Sequence, residues 1–281
     1  MLRITVPNKG ALAEPAAEML REAGYAARQD SRQLVLHDPD NGVDFFFLRP
    51  RDIAVYVGGG TLDVGVTGRD LLLDSGVEAT EVMPLGFARS TFRFASGSGA
   101  VRSVEQLAGQ RIATSYPGLV RVYLGERGVE SEVVRLDGAV ETAVELGVAD
   151  VIADVVETGS TLRAAGLEVF GEPILQSEAV LVRRGGSSEP AGLDVLVRRL
   201  QGVLVARQYV LFDYDIRDDL VEQACAVTPG LESPTVSPLH ERGWVADRSM
   251  VPRAQVNRVM DELYDMGARA ILVTTIHACR I

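Results

Sequence analysis

Short apolar runs alternate with helical patterns along most of this chain. LRITV, LDVGVTG, QRIATS, SEVVRL and ADVIADVV are separated by stretches such as LAEPAAEMLREAG and AVETAVELGVA. Strands buried on both faces read as continuous apolar runs, and parallel neighbours need a crossover of helical length, so the alternation predicts an α/β fold with parallel sheets. Crossovers of this kind place loops at the carboxyl ends of strands, where ligands bind. A faint internal repeat predicts two such modules. Arg3-Ile4-Thr5-Val6 enters Pro7-Asn8-Lys9-Gly10 as Arg111-Ile112-Ala113-Thr114 enters Ser115-Tyr116-Pro117-Gly118, and Gly60-Thr61-Leu62-Asp63-Val64 resembles Gly147-Val148-Ala149-Asp150-Val151.

The segment FARSTFRFASGSGAVRSVEQLAGQ crosses from the first module to the second around residue 90, and RRGGSSEPAG, residues 183 to 192, has the composition of a surface connection. The helical LDVLVRRLQGVLVARQ then leads the chain back towards the first module. From about residue 210 the character changes: QYVLFDYDI reads as a strand, RDDLVEQACAV as a helix, SPTVSPLHERGWVADRSMV as a hairpin, RAQVNRVMDELYDMG as a helix and ARAILVTTI as a last strand. That βαββαβ order predicts a small ferredoxin-like module. The expected domains are 1–90 with about 184–210, then 91–183, then 211–281.

Lys plus Arg total 28 against 39 Asp plus Glu, a net charge of -11, which argues against a nucleic-acid surface or an anionic membrane. Charge that holds an anionic substrate must therefore be local or come from a metal ion. No apolar run is long enough for a membrane span or a signal peptide, so the chain reads as cytoplasmic, where Cys225 and Cys279 are buried thiols. His37, His240 and His277 are dispersed, no Ser or Cys has a recognisable base partner, and no GxxxxGK[ST] loop occurs.

The chemistry concentrates at strand-to-loop turns. In DVIADVVETGSTL an apolar run through Asp154, Val155 and Val156 opens into Glu157, Thr158, Gly159, Ser160 and Thr161. Backbone N–H groups at a helix start, a glycine and three hydroxyls make a phosphate cradle, with Asp154 placed for ribose hydroxyls or Mg²⁺. The same residues also make an ordinary helix cap on Thr158. Lys9 in VPNKGAL and Arg49 in FFFLRPRDIAVYV follow strands where a cation reaches an anion, whereas Arg51 reads as helix-start surface. Asp70 in GVTGRDLL either contacts a nucleotide or caps a helix, and position alone favours the cap. Asp137 and Glu141 flank the start of an expected helix over AVETAVELGVA.

Taken together, VPNKGAL, FFFLRPRDIAVYV, LDVGVTGRDLL, LDGAVETAVELGVADVIADVVETGSTL and TPGLESPTVSPL resemble the long form of the ATP phosphoribosyltransferase family, over essentially the whole chain. The resemblance implies two periplasmic-binding-protein-like α/β domains plus a C-terminal ferredoxin-like regulatory domain. It implies Mg²⁺-dependent transfer of the phosphoribosyl group from phosphoribosyl pyrophosphate to N1 of ATP, the first step of histidine biosynthesis. On this resemblance the phosphoribosyl-pyrophosphate loop is Asp154, Val155, Val156, Glu157, Thr158, Gly159, Ser160 and Thr161, and the nucleotide side is Lys9, Arg49, Asp70, Tyr116 and Glu141. It further implies feedback inhibition by histidine held at Asp215, Leu231, Thr235 and Ala270, and a homo-oligomer built from dimers into hexamers. A non-catalytic two-lobed binding or sensor protein is the alternative that fold alone leaves open.

Overall fold

The computed structural model describes residues 1–26, 32–97, 99–156, 158–186 and 188–280. It divides into two compact units, Met1–Glu18 with Tyr25–Leu193, and Met19–Gly24 with Asp194–Ile281.

The first unit holds two sheets. Strands β1 (Leu2–Pro7), β2 (Val35–Asp38), β3 (Val43–Leu48), β4 (Val64–Gly68) and β5 (Ala79–Pro84) belong to the first. Strands β6 (Ser90–Gly97), β7 (Arg111–Thr114), β8 (Glu132–Arg135), β9 (Val151–Val156) and β10 (Leu167–Ser177) form the second, after which β11 (Ala179–Arg184) returns to the first. The strand orders are β2-β3-β1-β4-β11-β5 and β10-β6-β9-β7-β8. In each, a parallel triplet (β3-β1-β4 or β8-β7-β9) is followed by one antiparallel strand that has crossed from the other sheet's stretch of chain. This is the two-lobed arrangement of periplasmic-binding-protein-like domains, with crossings just before β6 and between β10 and β11. The return comes at Ala179, ahead of the expected boundary near residue 184.

The internal repeat has a physical counterpart. The Arg3 backbone N–H and guanidinium donate to Asp63 at 2.8 and 2.9 Å, and those of Arg111 donate to Asp150 at 3.0 and 2.8 Å. Each pair ties the start of a lobe's central strand to the residue that leads into its parallel neighbour, so the lobes share one construction.

Crossover helices cover the strands. In the first lobe α1 (Ala13–Glu22), α2 (Pro50–Gly58) and α3 (Arg69–Ser75) follow β1, β3 and β4. Ile53, Ala54 and Val57 of α2 pack with Leu72, Val180 and Val182 in a core. In the second lobe α4 (Pro117–Gly125) follows β7, and Phe92, Phe94, Val120, Tyr123 and Val151 fill one face of the sheet. Short α5 (Ser160–Ala164) follows β9 and sets Leu162 against Ala95, Ala113 and Ile152 on the other face. The helix expected over AVETAVELGVA does not form. Only a 3-10 turn at Val140–Thr142 is present, bounded by Ala139 and Gly147 in the left-handed region at φ 45° and 69°. Val140, Ala143 and Ala149 of this stretch reach the core, but the left-handed Ala139 and Gly147 confine any helix to the few residues between them.

The second unit carries α6 (Leu193–Gln208), whose Arg207 makes two hydrogen bonds to Glu22 at 2.8 and 3.0 Å. By its contacts α6 groups with residues 19–24, at the end of α1, and with the C-terminal sheet. Then follow β12 (Tyr209–Arg217), α7 (Val221–Val227), β13 (Thr235–Pro238), β14 (Trp244–Pro252), α8 (Val256–Asp265) and β15 (Arg269–Thr275). The antiparallel order β13-β14-β12-β15 is the ferredoxin-like one. Val210, Phe212, Tyr214 and Ile216 alternate on the face of β12 that packs with Ala224, Val259 and Leu263 of the two helices.

Candidate functional site

Because β1 pairs in parallel with both β3 and β4, the carboxyl ends of these strands lie side by side. Pro7 is opposite Leu48, and the Asn8 N–H donates to the Leu48 carbonyl at 2.8 Å, so Lys9 and Arg49 leave the sheet along one edge. Both are exposed, and among the described residues neither is ion-paired. Asp70, in the first turn of α3, is buried and caps nothing. The Ser177 hydroxyl donates to its Oδ1 at 2.8 Å, while the Asp70 N–H donates back to Ser177 Oγ at 3.1 Å. A Cβ at Gly68 would lie 2.3 Å from Asp70 Oδ1, so the glycine makes room for this carboxylate.

The second lobe contributes Tyr116, which precedes α4. Its N–H donates to Thr114 Oγ1 at 2.9 Å, and its ring meets Phe92 edge-on at 5.1 Å and lies 4.9 Å from the Arg51 guanidinium carbon. Burial, and then the neighbouring Asp70 carboxylate, push the Tyr116 phenol well above its ordinary value, so it stays protonated and able to donate. Asp154, near the end of β9, accepts the Val155 N–H at 2.8 Å. Burial raises its carboxyl above the usual range against that hydrogen bond, with Glu141 and Asp70 adding repulsion and Arg51 opposing it. Glu141, from the 3-10 turn, therefore shares one electrostatic neighbourhood with Asp70, Tyr116 and Asp154.

Glu157 lies outside the described residues. Beyond it, Gly159 at φ 68° is the residue before α5, and among the described residues no side chain caps that helix. The Thr158 and Ser160 hydroxyls instead bond each other at 3.0 Å. First-turn N–H groups have no partner within a helix, so this turn presents amides and hydroxyls around a cavity of about 290 Å³ lined by Val155, Val156 and residues 158–162. A second cavity, about 190 Å³, joins Pro50, Asp70 and Leu71 of the first lobe to Tyr116 and Val155 of the second. A third, about 450 Å³, is bordered by Arg69, Arg89, Thr91, Val156 and Glu178. The first of these shares Val155 with the second and Val156 with the third, at the carboxyl end of β9. Arg69 in that third space is already held, by two hydrogen bonds to Glu81 at 2.9 and 2.7 Å.

Three residues escaped the sequence reading. Ser177 holds Asp70 across 107 positions, Arg51 lies over Tyr116 instead of being helix-start surface, and Asp74 accepts from the start of α4. An Arg three residues after a strand and a Ser before an apolar run carry no local signal of such roles. Among the described residues no group of three or more His, Cys, Asp and Glu side chains is gathered for a metal ion.

In the second unit, Asp215 of β12 is opposite Ala246 of β14, which is opposite Ser237 of β13. Thr235, two residues before Ser237, thus shares the sheet face of Asp215, away from the helices. Ala270 of β15 adjoins the register shift beside Asp215 and has φ 49°. Leu231 is exposed in the turn before β13.

Two family descriptions match the chain: ATP phosphoribosyltransferase over residues 49–202, and HisG, C-terminal domain, over residues 206–278. It is 70% identical, over all of both chains, to an ATP phosphoribosyltransferase of Paenarthrobacter aurescens (strain TC1), and 63% identical, again over all of both, to that of Streptomyces avermitilis. Among solved structures, the ATP phosphoribosyl transferase (HisG:HisZ) complex from Thermotoga maritima matches at a TM-score of 0.63 and 27% identity, covering 73% of this chain and 98% of that one. The chain belongs to the ATP phosphoribosyltransferase family.

Proposed function

We propose that the protein catalyses transfer of the phosphoribosyl group from phosphoribosyl pyrophosphate to N1 of ATP, in the cytoplasm, as the opening step of histidine biosynthesis. The convergence of the loop cavity and the interlobe cavity at Val155 carries this reading, since it supplies adjoining spaces for a sugar phosphate and a base. The lone pair of adenine N1 forms a bond to C1 of the ribose as the bond from C1 to the pyrophosphate oxygen breaks. Pyrophosphate leaves with the electron pair, and the adenine gives up one proton.

Such a reaction needs alignment and charge compensation more than a nucleophile, in keeping with the dispersed histidines. The amides and hydroxyls of residues 158–161 receive the phosphate of the sugar, and Lys9 and Arg49 take the nucleotide phosphates. Asp70, fixed by Ser177, and the protonated Tyr116 orient the adenine, with Glu141 beside them. Placing the bond-forming atoms between two lobes keeps water, the competing nucleophile, away from C1. The donor set fits Mg²⁺ carried chiefly by substrate oxygens: half-buried Asp154, disfavoured as an anion by desolvation and then by Glu141 and Asp70, is the carboxylate that a hard cation would relieve. The bound ion would offset the charge developing on pyrophosphate.

Incubation with ATP, phosphoribosyl pyrophosphate and Mg²⁺ is expected to release pyrophosphate and form an N1-ribosylated adenine nucleotide; ligand binding without turnover would instead favour a sensor. Thr161→Val is expected to lower kcat/KM for phosphoribosyl pyrophosphate by roughly tenfold or more while leaving thermal stability nearly unchanged. Equal losses in both would return the loop to a mere helix start. We further propose histidine inhibition through Asp215, Leu231, Thr235 and Ala270, with Asp215 facing the ligand's ammonium, and assembly of dimers into hexamers, which light scattering with and without histidine tests.

A further inference from the structure

Two chain crossings join the lobes of the first unit, and two crossings by themselves leave rotation about the line between them. A third attachment removes that freedom. Asp74, in the last turn of α3, belongs to the first lobe, yet its Oδ1 accepts the N–H groups of Gly118 and Leu119 at 2.8 and 3.2 Å, at the start of α4 in the second. Its other oxygen accepts from Arg51 Nη1 at 2.9 Å, and its side chain is only 10% exposed. The backbones also meet closely: a Cβ on Gly118 would lie 2.2 Å from the Asp74 carbonyl oxygen. A carboxylate at a helix start, bonded to two of its free N–H groups and neutralised by an arginine, is a charge-assisted clamp. Tyr116 immediately precedes the clamped turn, and the same Arg51 lies over its ring.

We propose that Asp74 is a positioning residue: through α4 it holds Tyr116 of the second lobe against Asp70 of the first, and so sets the width of the interlobe cavity that takes the adenine. This rests on the nucleotide reading of that cavity. The phosphate-loop cavity is lined, among the described residues, by Val155, Val156 and residues 158–162 of the second lobe alone, so it should not feel the clamp. A fault in the clamp is therefore expected to separate the two substrates.

Asp74→Ala and Gly118→Ala are each expected to raise the KM for ATP by roughly tenfold while kcat changes by less than about threefold. Affinity for phosphoribosyl pyrophosphate with Mg²⁺, read by thermal shift, is expected to stay within about twofold. Asp74→Asn keeps an acceptor for the two N–H groups but loses the charge facing Arg51, so its KM falls between wild type and Asp74→Ala. Spin labels at Val55→Cys and Val122→Cys, in a chain carrying Cys225→Ser and Cys279→Ser, report the interlobe distance without substrates. The distribution is expected to be narrow and to broaden with Asp74→Ala or Gly118→Ala. The proposal is overturned by an unchanged KM for ATP in both variants, by unchanged distance distributions, or by equal weakening of both substrates, which marks general loss of structure. Should the wild-type chain not use ATP at all, the nucleotide reading falls, and with it the adenine role of the clamp, while the distance measurement still judges the clamp itself.

Discussion

On the proposed function, Asp154 sets stability against activity in one side chain. Burial first, then the like charges of Glu141 and Asp70, hold its carboxyl above the ordinary value of 3.8. A raised carboxyl binds its proton more tightly in the folded chain than in the unfolded one. Its favourable contribution is therefore complete below the unfolded value and is lost as pH rises through the folded one. Asp154→Asn carries no charge to desolvate, so its urea midpoint should exceed that of wild type by a margin that grows from about pH 4 to about pH 7. Transfer activity should fall by roughly a hundredfold. A margin constant with pH, or one that shrinks as pH rises, would contradict this assignment. Asp154, Thr158, Ser160 and Thr161 were legible as a group because an apolar strand running into compact hydroxyls is a local pattern. Asp70 was legible only as a choice, since the Ser177 hydroxyl that settles its environment comes from 107 positions away.

At the scale of elements, the start of α5 depends on Gly159, whose φ of 68° puts it in the left-handed region. A Cβ there would come 3.3 Å from the tip of the Arg163 side chain, which can move, so the cost of Gly159→Ala is one of backbone strain. It is expected to be about 1–2 kcal/mol, read as a lowering of Tm by roughly 2–8 °C. Affinity for phosphoribosyl pyrophosphate should fall further than stability, since the amides of residues 158–161 turn with that bond. A variant that melts earlier yet binds with unchanged affinity would remove the loop's backbone from the cradle. Strands and helices with long regular patterns, such as β4, β12 and α6, follow directly from periodicity. The turn at Val140–Thr142 does not: its residues have helical spacing, but the left-handed Ala139 and Gly147 bracket it and leave too few residues for a longer helix.

For the whole molecule, the C-terminal sheet is complete in itself: among the described residues its four antiparallel strands pair only with one another, and they share a core with α7 and α8. The Arg207–Glu22 hydrogen bonds belong to α6 and α1, outside that sheet. A chain ending at Gln208 keeps this pair and both lobes with their hydrogen bonding intact, so it should retain measurable transfer activity and lose inhibition by histidine. Histidine inhibition that persists in the shortened chain would move the regulatory site into the lobes. The duplicated Arg3–Asp63 and Arg111–Asp150 pairs explain why a faint sequence repeat marked both lobes: each lobe needs the same tie where its central strand begins.

By itself the sequence determined the α/β alternation, the ferredoxin-like ending, the repeated Arg and Asp at strand starts, and the loop at the end of β9, because each follows from residues close along the chain. Tertiary structure alone decided that Ser177 holds Asp70, that Arg51 lies over Tyr116, and that Asp74 clamps α4 across 44 positions. Those contacts depend on how two crossings bring separate sheet edges together. Packing free energy selects that arrangement over the whole fold, and it leaves no period or spacing in the residues that make the contacts.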